Sequence, residues 1–466
     1  MKRRLLAIFL SLTLMLSLVP SAWAVENEES SQEAVVEEPE TELIEGLQAR
    51  INALPDAAAL AEMDEDALKA VYNEVQTIYD ALDALSTEAV EALELTPLET
   101  AAAFFTEQVA PLDVSAGIVV SENAIWDTPR TLTENLTVND GVTLTIGAQV
   151  TVSGNVTISG GGTIKRASAY TGSLLVVTDG SSLILANITI DGGAIWTGDE
   201  DETLKRGTVN DGLTADSALV TVNGGTLTLN EGALIQNNER TVGTDVDAWI
   251  EWTRPVAQTV RYYAVGGGVS VVGGSLIVNN GAAVKNNTIK DSDKANDATS
   301  DALGGGIGLY DCASLIVSGG EISGNQAQTS GTARAMGGGI GMAAHPGSPY
   351  STCEVRFKGG ELKNNLSVTS GGGAYFTSDC EDEAGINALD VSFSGGTISE
   401  NKADAGGGII VWGGKAALSG DVTFTNNKAP NGNGGGAYFS TRTIVSIDGG
   451  NYTNNTSKYG GGIAWN

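Results

Sequence analysis

Two short signals recur in step along the second half of the chain, and their spacing constrains its fold more than any other feature. In this half, runs of three glycines occur seven times, and successive runs begin 26 to 38 residues apart. An asparagine precedes each run, and an apolar residue lies three positions before that asparagine. Because two separate motifs keep the same phase seven times, they indicate a structural repeat. The glycine runs begin at Gly266, Gly304, Gly337, Gly371, Gly406, Gly434 and Gly460.

A repeat of this length, rich in short runs of Val, Ile, Leu and Thr, is typical of a solenoid with one coil per repeat. Strands of successive coils then pair in parallel at about 4.8 Å, and glycines mark a corner where the backbone bends or packs closely. Residues 173–192 and 217–238 carry the same strands without the triplet. We predict an all-β fold, a right-handed parallel β-helix (solenoid) of about ten coils over residues 117–466, preceded by a small α-helical segment.

The asparagines of the repeat have a structural explanation. Amide side chains at equivalent positions of successive coils can hydrogen-bond to one another and to the backbone of the turn. We therefore interpret them as a structural ladder rather than as catalytic groups. The predicted ladder comprises Asn238, Asn287, Asn325, Asn365, Asn401, Asn427 and Asn455.

Three different segments precede the predicted solenoid. Residues 1–24 combine basic residues, a short apolar run and a small-x-small cleavage site, which predicts a signal peptide and no membrane span after cleavage. Residues 25–40 are Glu-rich and lack aromatics, which favours a disordered acidic spacer. Residues 41–110 have apolar residues at helical spacing, which predicts a helical hairpin or a three-helix spacer.

Inserts of unequal length interrupt the repeat on one side of the predicted solenoid. The segments between the ladder asparagine and the next glycine run shorten from 27 residues to 4 along the chain. Because the long segments fall in neighbouring coils, we expect them to stack into a ridge. Loop inserts are predicted at 194–216, 239–265 and 288–303.

The longest insert is the best candidate for ligand binding. Aromatic rings beside guanidinium groups on an exposed loop suit sugar or peptide recognition, through stacking and directed donors. The alternative is that these rings hold the loop against the solenoid wall. The candidate residues are Trp249, Trp252, Arg254, Arg261, Tyr262 and Tyr263, with Trp196 in the preceding insert.

Other chemistry has little support in the sequence. The net charge of −32 disfavours nucleic-acid binding, and a single histidine, His345, excludes sites that need two. We predict no metal and no cofactor. Export permits oxidation, so we expect Cys353 to form a disulfide with Cys312 or Cys380.

The pairing of Phe424-x-x-Asn427 with the run from Gly434 to Ala437 resembles the repeats of chlamydial polymorphic outer-membrane proteins and of bacterial adhesin-like β-helix proteins. The likeness covers about residues 230–466. It implies a secreted or cell-surface protein, an adhesin or a module that binds a host or microbial glycan or a surface protein, without catalysis. A polysaccharide lyase or glycoside hydrolase is the alternative, although the sequence has no paired catalytic motif. A structural wall-coat or spacer protein is a further alternative.

Overall fold

The computed structural model divides the chain into two compact units, 1–115 and 116–466. It describes residues 38–56, 59–60, 63, 67, 71, 74–75, 77–78, 81–82, 93–98, 100–101, 117–196, 209–210, 214–242, 250–253, 260–291, 300–312, 314–329, 334–345, 352–378 and 383–466. The predicted signal peptide and most of the predicted acidic spacer lie outside these residues. No helix among the described residues has the length and apolarity to cross a membrane.

Most of the described residues of the first unit are helical. Its first described helix, α1, spans Glu38–Asn52, so residues 38–40 belong to a helix and not to the predicted spacer. Further helical residues lie at 59–60, between 67 and 82, and between 96 and 101. Apolar residues from all of these stretches share one core, which contains Leu47, Ile51, Leu60, Val75, Ile78 and Leu98.

The second unit is a parallel β-helix, which confirms the predicted fold class. Three parallel sheets of eleven strands each run along it, so the solenoid has eleven coils. The right-handed winding stays a prediction. Sheet 1 contains Ile118–Val120, Leu136–Val138, Asn155–Ser159, Ser182–Leu185, Thr226–Leu229, Ser275–Val278, Ser314–Val317, Cys353–Phe357, Leu389–Phe393, Gly414–Leu418 and Thr443–Ile447.

Each coil then passes from sheet 1 to sheet 2 and on to sheet 3. Sheet 2 contains Ala124–Trp126, Thr143–Ile146, Thr163–Arg166, Ile188–Asp191, Ala233–Gln236, Ala283–Lys285, Glu321–Ser323, Glu361–Lys363, Thr397–Ser399, Thr423–Thr425 and Asn451–Thr453. Sheet 3 contains Arg130–Leu132, Val150–Val152, Leu175–Val177, Val220–Asn223, Val269–Val272, Ile307–Tyr310, Ile340–Ala343, Ala374–Thr377, Ile409–Trp412, Ala437–Phe439 and Ile463–Trp465. A short helix, α2, spans Glu383–Ala388 before a strand of sheet 1.

Alternate residues of all three sheets point into one continuous core of small aliphatic side chains. In the later coils aromatic rings fill this interior. Phe357 stacks on Phe393 with ring centroids 5.2 Å apart, and Phe424 stacks on Tyr452 at 5.3 Å. Because equivalent positions carry similar side chains, each coil packs on its neighbours without a conventional globular centre.

The three glycines of a run serve different purposes at the corner before sheet 3. Gly304, the first of its run, has φ +74°, a conformation that favours glycine. A Cβ on Gly305 would collide with the carbonyl oxygen of Gly338 in the next coil, and one on Gly306 would lie 2.7 Å from Cγ of Asn325. The first glycine bends the chain, and the other two let backbone and asparagine approach closely.

The seven repeat asparagines form one hydrogen-bonded ladder. The Oδ1 atom of Asn365 accepts two hydrogen bonds from Asn325, one from its backbone N–H at 3.0 Å and one from its side-chain Nδ2 at 3.1 Å. Nδ2 of Asn365 donates to the carbonyl of Ile322 at 2.9 Å and to Oδ1 of Asn401 at 3.0 Å. Asn238, Asn287, Asn325, Asn401 and Asn427 are fully buried, so the ladder satisfies polar groups that water cannot reach.

A positive-φ residue precedes every ladder asparagine, a signal that the sequence motif had not exposed. These residues are Asn237, Asn286, Gly324, Asn364, Glu400, Asn426 and Asn454. Asparagine and glycine tolerate this conformation better than other residues. Glu400, with φ +57°, is the exception.

Asn365→Ala should lower the free energy of unfolding by about 2–4 kcal/mol, because several buried groups lose their partners at once. Urea unfolding followed by circular dichroism measures this loss. Asn451→Ala, which changes an exposed asparagine of sheet 2, should cost less than about 0.5 kcal/mol. Equal losses in the two variants would contradict a stabilising ladder.

Glu400→Asn should raise the free energy of unfolding by about 0.5–1 kcal/mol, because asparagine adopts the left-handed conformation at lower cost. The same unfolding measurement tests this. Ser399→Asn, in the neighbouring strand position, should bring no gain. A gain at position 399 and none at position 400 would show that strain at Glu400 is absent.

Candidate functional site

The inserts, which the sequence pattern predicted to be loops, are strands in their described parts. These strands pair from coil to coil. Sheet 4 contains Thr214–Ala215, Glu239–Val242, Thr288–Asp291, Gln326–Thr329 and Leu366–Ser367. Sheet 5 contains Ile250–Thr253, Val260–Val265, Ser300–Leu303 and Arg334–Met336. Two further pairs are Ile195–Trp196 with Val209–Asn210, and Lys428–Asn433 with Thr456–Tyr459.

Sheet 5 packs on the outer face of sheet 3, and glycines make this possible. The register of sheet 3 places Gly308 and Gly341 in one outward-facing row. A Cβ on Gly308 would lie 2.6 Å from the carbonyl oxygen of Leu303, and one on Gly341 would lie 2.8 Å from that of Met336. In later coils, where inserts are short, the same row carries Tyr375, Ile410 and Tyr438, which continue the same apolar cluster.

Two of the predicted ligand-binding residues are committed to this packing. Tyr263 is only 1% exposed, and its ring lies 5.5 Å from that of Tyr310 and 5.6 Å from that of His345. The prediction that Tyr263 meets a ligand is therefore wrong, because its ring is enclosed between two sheets. Nη1 of Arg261 contacts Oδ2 of Asp301 at 2.7 Å.

Asp301 holds three strands of sheet 5 together, because its two arginine partners lie on the strands on either side of its own. This carboxylate is 1% exposed and also receives Nε and Nη2 of Arg334, each at 2.7 Å. The guanidinium of Arg261 thus serves an internal ion-pair network. Burial makes such a network costly to break.

The structure describes some of the other predicted ligand-binding residues and not others. Trp249 and Arg254 lie outside the described residues. Trp252 pairs across sheet 5 with Arg261, and Trp196 pairs antiparallel with Val209. Tyr262 is half-buried against the small cluster between sheets 4 and 5.

The single histidine belongs to the same buried layer. The backbone N–H of His345 donates to Oδ1 of Asp311 at 2.8 Å, and its Nδ1 lies 3.2 Å from the same oxygen. His345 is 2% exposed, and its ring packs on Tyr310. It therefore contributes to packing between sheets 3 and 5.

An open groove lies beside sheet 5, over the earlier coils, with a volume of about 530 Å³. Its floor is the outer face of sheet 3, with Val176, Thr221 and Ser270 in one register row and Asn223 and Val272 in another. One wall is formed by Ile250 and Val265 of sheet 5. The remaining lining residues are Gln149, Gly172, Ser173, Asp216, Ser217, Ala218 and Arg240.

Buried arginines organise the chain around this groove. Arg240 donates from Nε to the carbonyl of Asp216 at 3.0 Å and from Nη1 to the carbonyls of Val265 and Gly266, the latter at 3.0 Å. Burial lowers the pKa of Arg240 to about 10, which leaves it charged at neutral pH. Its guanidinium therefore ties both groove walls together.

Arg166 occupies the start of the asparagine ladder. Its Nη2 donates to Oδ1 of Asn238 at 3.1 Å, and its Nη1 donates to the carbonyls of Tyr170 and Gly172. Burial lowers the pKa of Arg166 to about 10. The preceding coil has no ladder asparagine, so this arginine supplies the donor that the first amide oxygen needs.

The carboxylate of Asp191, which lies in a sheet 2 strand, has structural partners. Oδ1 of Asp191 accepts the backbone N–H of Gly193 at 2.6 Å and its Oδ2 accepts Nε2 of Gln236 at 2.9 Å, so Asp191 stabilises a turn. No group of three or more potential metal ligands occurs among the described side chains.

The prediction that Cys353 forms a disulfide is wrong, because Cys312 and Cys353 are both free, buried thiols. Sγ of Cys312 instead donates to the carbonyl of Val271 at 3.2 Å. Burial raises the pKa of Cys353 to about 12, which makes its thiol unreactive. Cys380 lies outside the described residues.

Asp301→Asn should lower the free energy of unfolding by about 3 kcal/mol, because two guanidinium groups lose a buried carboxylate. Urea unfolding measures the change. Glu361→Gln, which weakens the exposed ion pair with Lys363, should cost less than about 1 kcal/mol. A cost at Asp301 no larger than that at Glu361 would show that the network does not hold sheet 5 together.

Comparison with models of protein families, with curated proteins and with solved structures finds no match to this chain. The resemblance to polymorphic outer-membrane-protein repeats therefore depends on the sequence motifs, and the structure supports its fold alone.

Proposed function

We propose that this chain is exported through its signal peptide and acts at the bacterial cell surface as an adhesin-like, non-catalytic binding module. Its partner is a host or microbial glycan or a surface protein, held in the groove between sheet 3 and the edge of sheet 5. The groove carries the proposal, because its volume of about 530 Å³ is within the range of binding sites in proteins.

The chemistry of the groove favours binding over hydrolysis. Its described lining contributes one carboxylate, Asp216, whereas a glycoside hydrolase positions two across the scissile bond. Hydroxyl and amide groups of Thr221, Ser270 and Asn223 line this groove together with the aliphatic groups of Val176 and Val272. Such a surface buries apolar area and offers hydrogen bonds without placing an acid and a base together.

Blocking the groove should abolish binding while leaving the fold intact. Thr221→Trp fills the floor of the groove, and we expect at least a tenfold loss of binding to the glycans and extracellular-matrix proteins that the mature chain captures on an array. The array signal is measured alongside thermal unfolding. Both threonine and tryptophan suit strands, so only the loss of the hydroxyl hydrogen bond between Thr221 and Ser173 should lower the unfolding temperature slightly.

Thr189→Trp is the matched control, since Thr189 is half-buried on the outer face of sheet 2 in the same coil. This variant should bind as the unmodified chain does. Binding that survives Thr221→Trp unchanged, or capture of nothing on the array, would overturn the proposal. Release of new reducing or unsaturated sugar ends would establish an enzyme instead.

A further inference from the structure

We infer that the groove binds an extended polypeptide, which adds as a new strand to sheet 5 along Ile250–Thr253. The inference rests on the proposed function and names the ligand class. Sheet 5 runs in the order 334–336, 300–303, 260–265 and 250–253, so the strand Ile250–Thr253 forms its edge toward the earlier coils. It pairs antiparallel with Val260–Val265, and no other described strand pairs with it.

The groove occupies the place where the next strand of sheet 5 would lie. Over the middle coils, Val265, Leu303 and Met336 cover the outer face of sheet 3. The insert of the preceding coil contributes no strand to sheet 5 among its described residues, and the face is open there. Ile250 packs on the covered cluster and also lines the groove, so the open space continues an existing interface between sheets.

The floor suits side chains of an added strand. Strand side chains alternate between faces, so every second residue of the ligand would point at sheet 3. There it would meet the row of Val176, Thr221 and Ser270 or the row of Asn223 and Val272. These aliphatic and hydroxyl groups accept small or medium side chains, while the backbone of Ile250–Thr253 supplies affinity through strand addition.

Two features favour a peptide over a glycan. Sugar recognition commonly uses an aromatic platform, and the described lining of the groove contains no aromatic side chain. Its charged groups are Asp216 and Arg240, and the guanidinium of Arg240 already donates to three carbonyls. A strand edge offers instead a regular series of N–H and C=O groups, which matches a peptide backbone.

The test is selection with a phage-displayed library of linear random 12-residue peptides against the mature chain. The affinity of one selected peptide is then measured with each of its central amides N-methylated in turn. Because only alternate amides of an added strand face the edge, every second methylation should weaken binding about tenfold or more, and the intervening ones should have little effect. A response without this alternation would overturn strand addition.

Groove variants locate the binding site and separate the two proposals. Peptide binding should fall at least tenfold in Thr221→Trp and stay unchanged in Thr189→Trp, with thermal unfolding showing that both variants fold. Selection of no peptide, together with glycan binding that Thr221→Trp abolishes, would overturn the peptide inference and leave the proposed function standing. Peptide binding that Thr221→Trp does not affect would overturn both.

Discussion

The β-helix depends on one corner, where a column of buried amides meets a column of glycines. Between the two ends of the ladder, from Asn287 to Asn427, each asparagine accepts a backbone N–H of the preceding coil. It donates to the next asparagine of the ladder and to a backbone carbonyl. The third glycine of the first six runs leaves room for a ladder side chain, as the close approach of Gly306 to Asn325 illustrates. Unpaired amides at this depth would cost more than most single contacts contribute, so the two columns are necessary to each other.

The corner also governs where extra structure can be added. The inserts leave the coil after the ladder asparagine and return before the glycine run, so they stack in the same order as the coils. Their strands pair from coil to coil as sheets 4 and 5 because the parent strands already set the spacing. Gly308 and Gly341 then permit sheet 5 to lie against sheet 3, whereas Tyr375 and Tyr438 fill that space where inserts are short.

The groove is a consequence of where this second layer stops. Sheet 5 ends at Ile250–Thr253, while the outer face of sheet 3 continues beneath it toward earlier coils. Arg240 joins the two sides by donating to carbonyls of both, so the opening has a defined shape. The open groove therefore lies where sheet 5 ends, and its floor is the same kind of pleated surface that sheet 5 covers elsewhere.

The sequence alone was sufficient to predict the parallel β-helix and the asparagine ladder, because a phased repeat leaves few ways to bury short apolar strands. The positive-φ residues before the ladder asparagines were not predicted, although five of the seven are asparagine and one is glycine. The burial of Tyr263 and the ion pair of Arg261 could not be predicted in the same way. An aromatic ring and an arginine on an insert look alike whether they face solvent or a neighbouring sheet.

Only the tertiary structure decided that the inserts are strands rather than loops, that Asp301 engages both Arg261 and Arg334, and that the open groove lies beside the longest insert. These outcomes depend on contacts between inserts of different coils, which no local pattern encodes. Local periodicity determines the coils of this protein, and packing between distant segments determines what the coils carry.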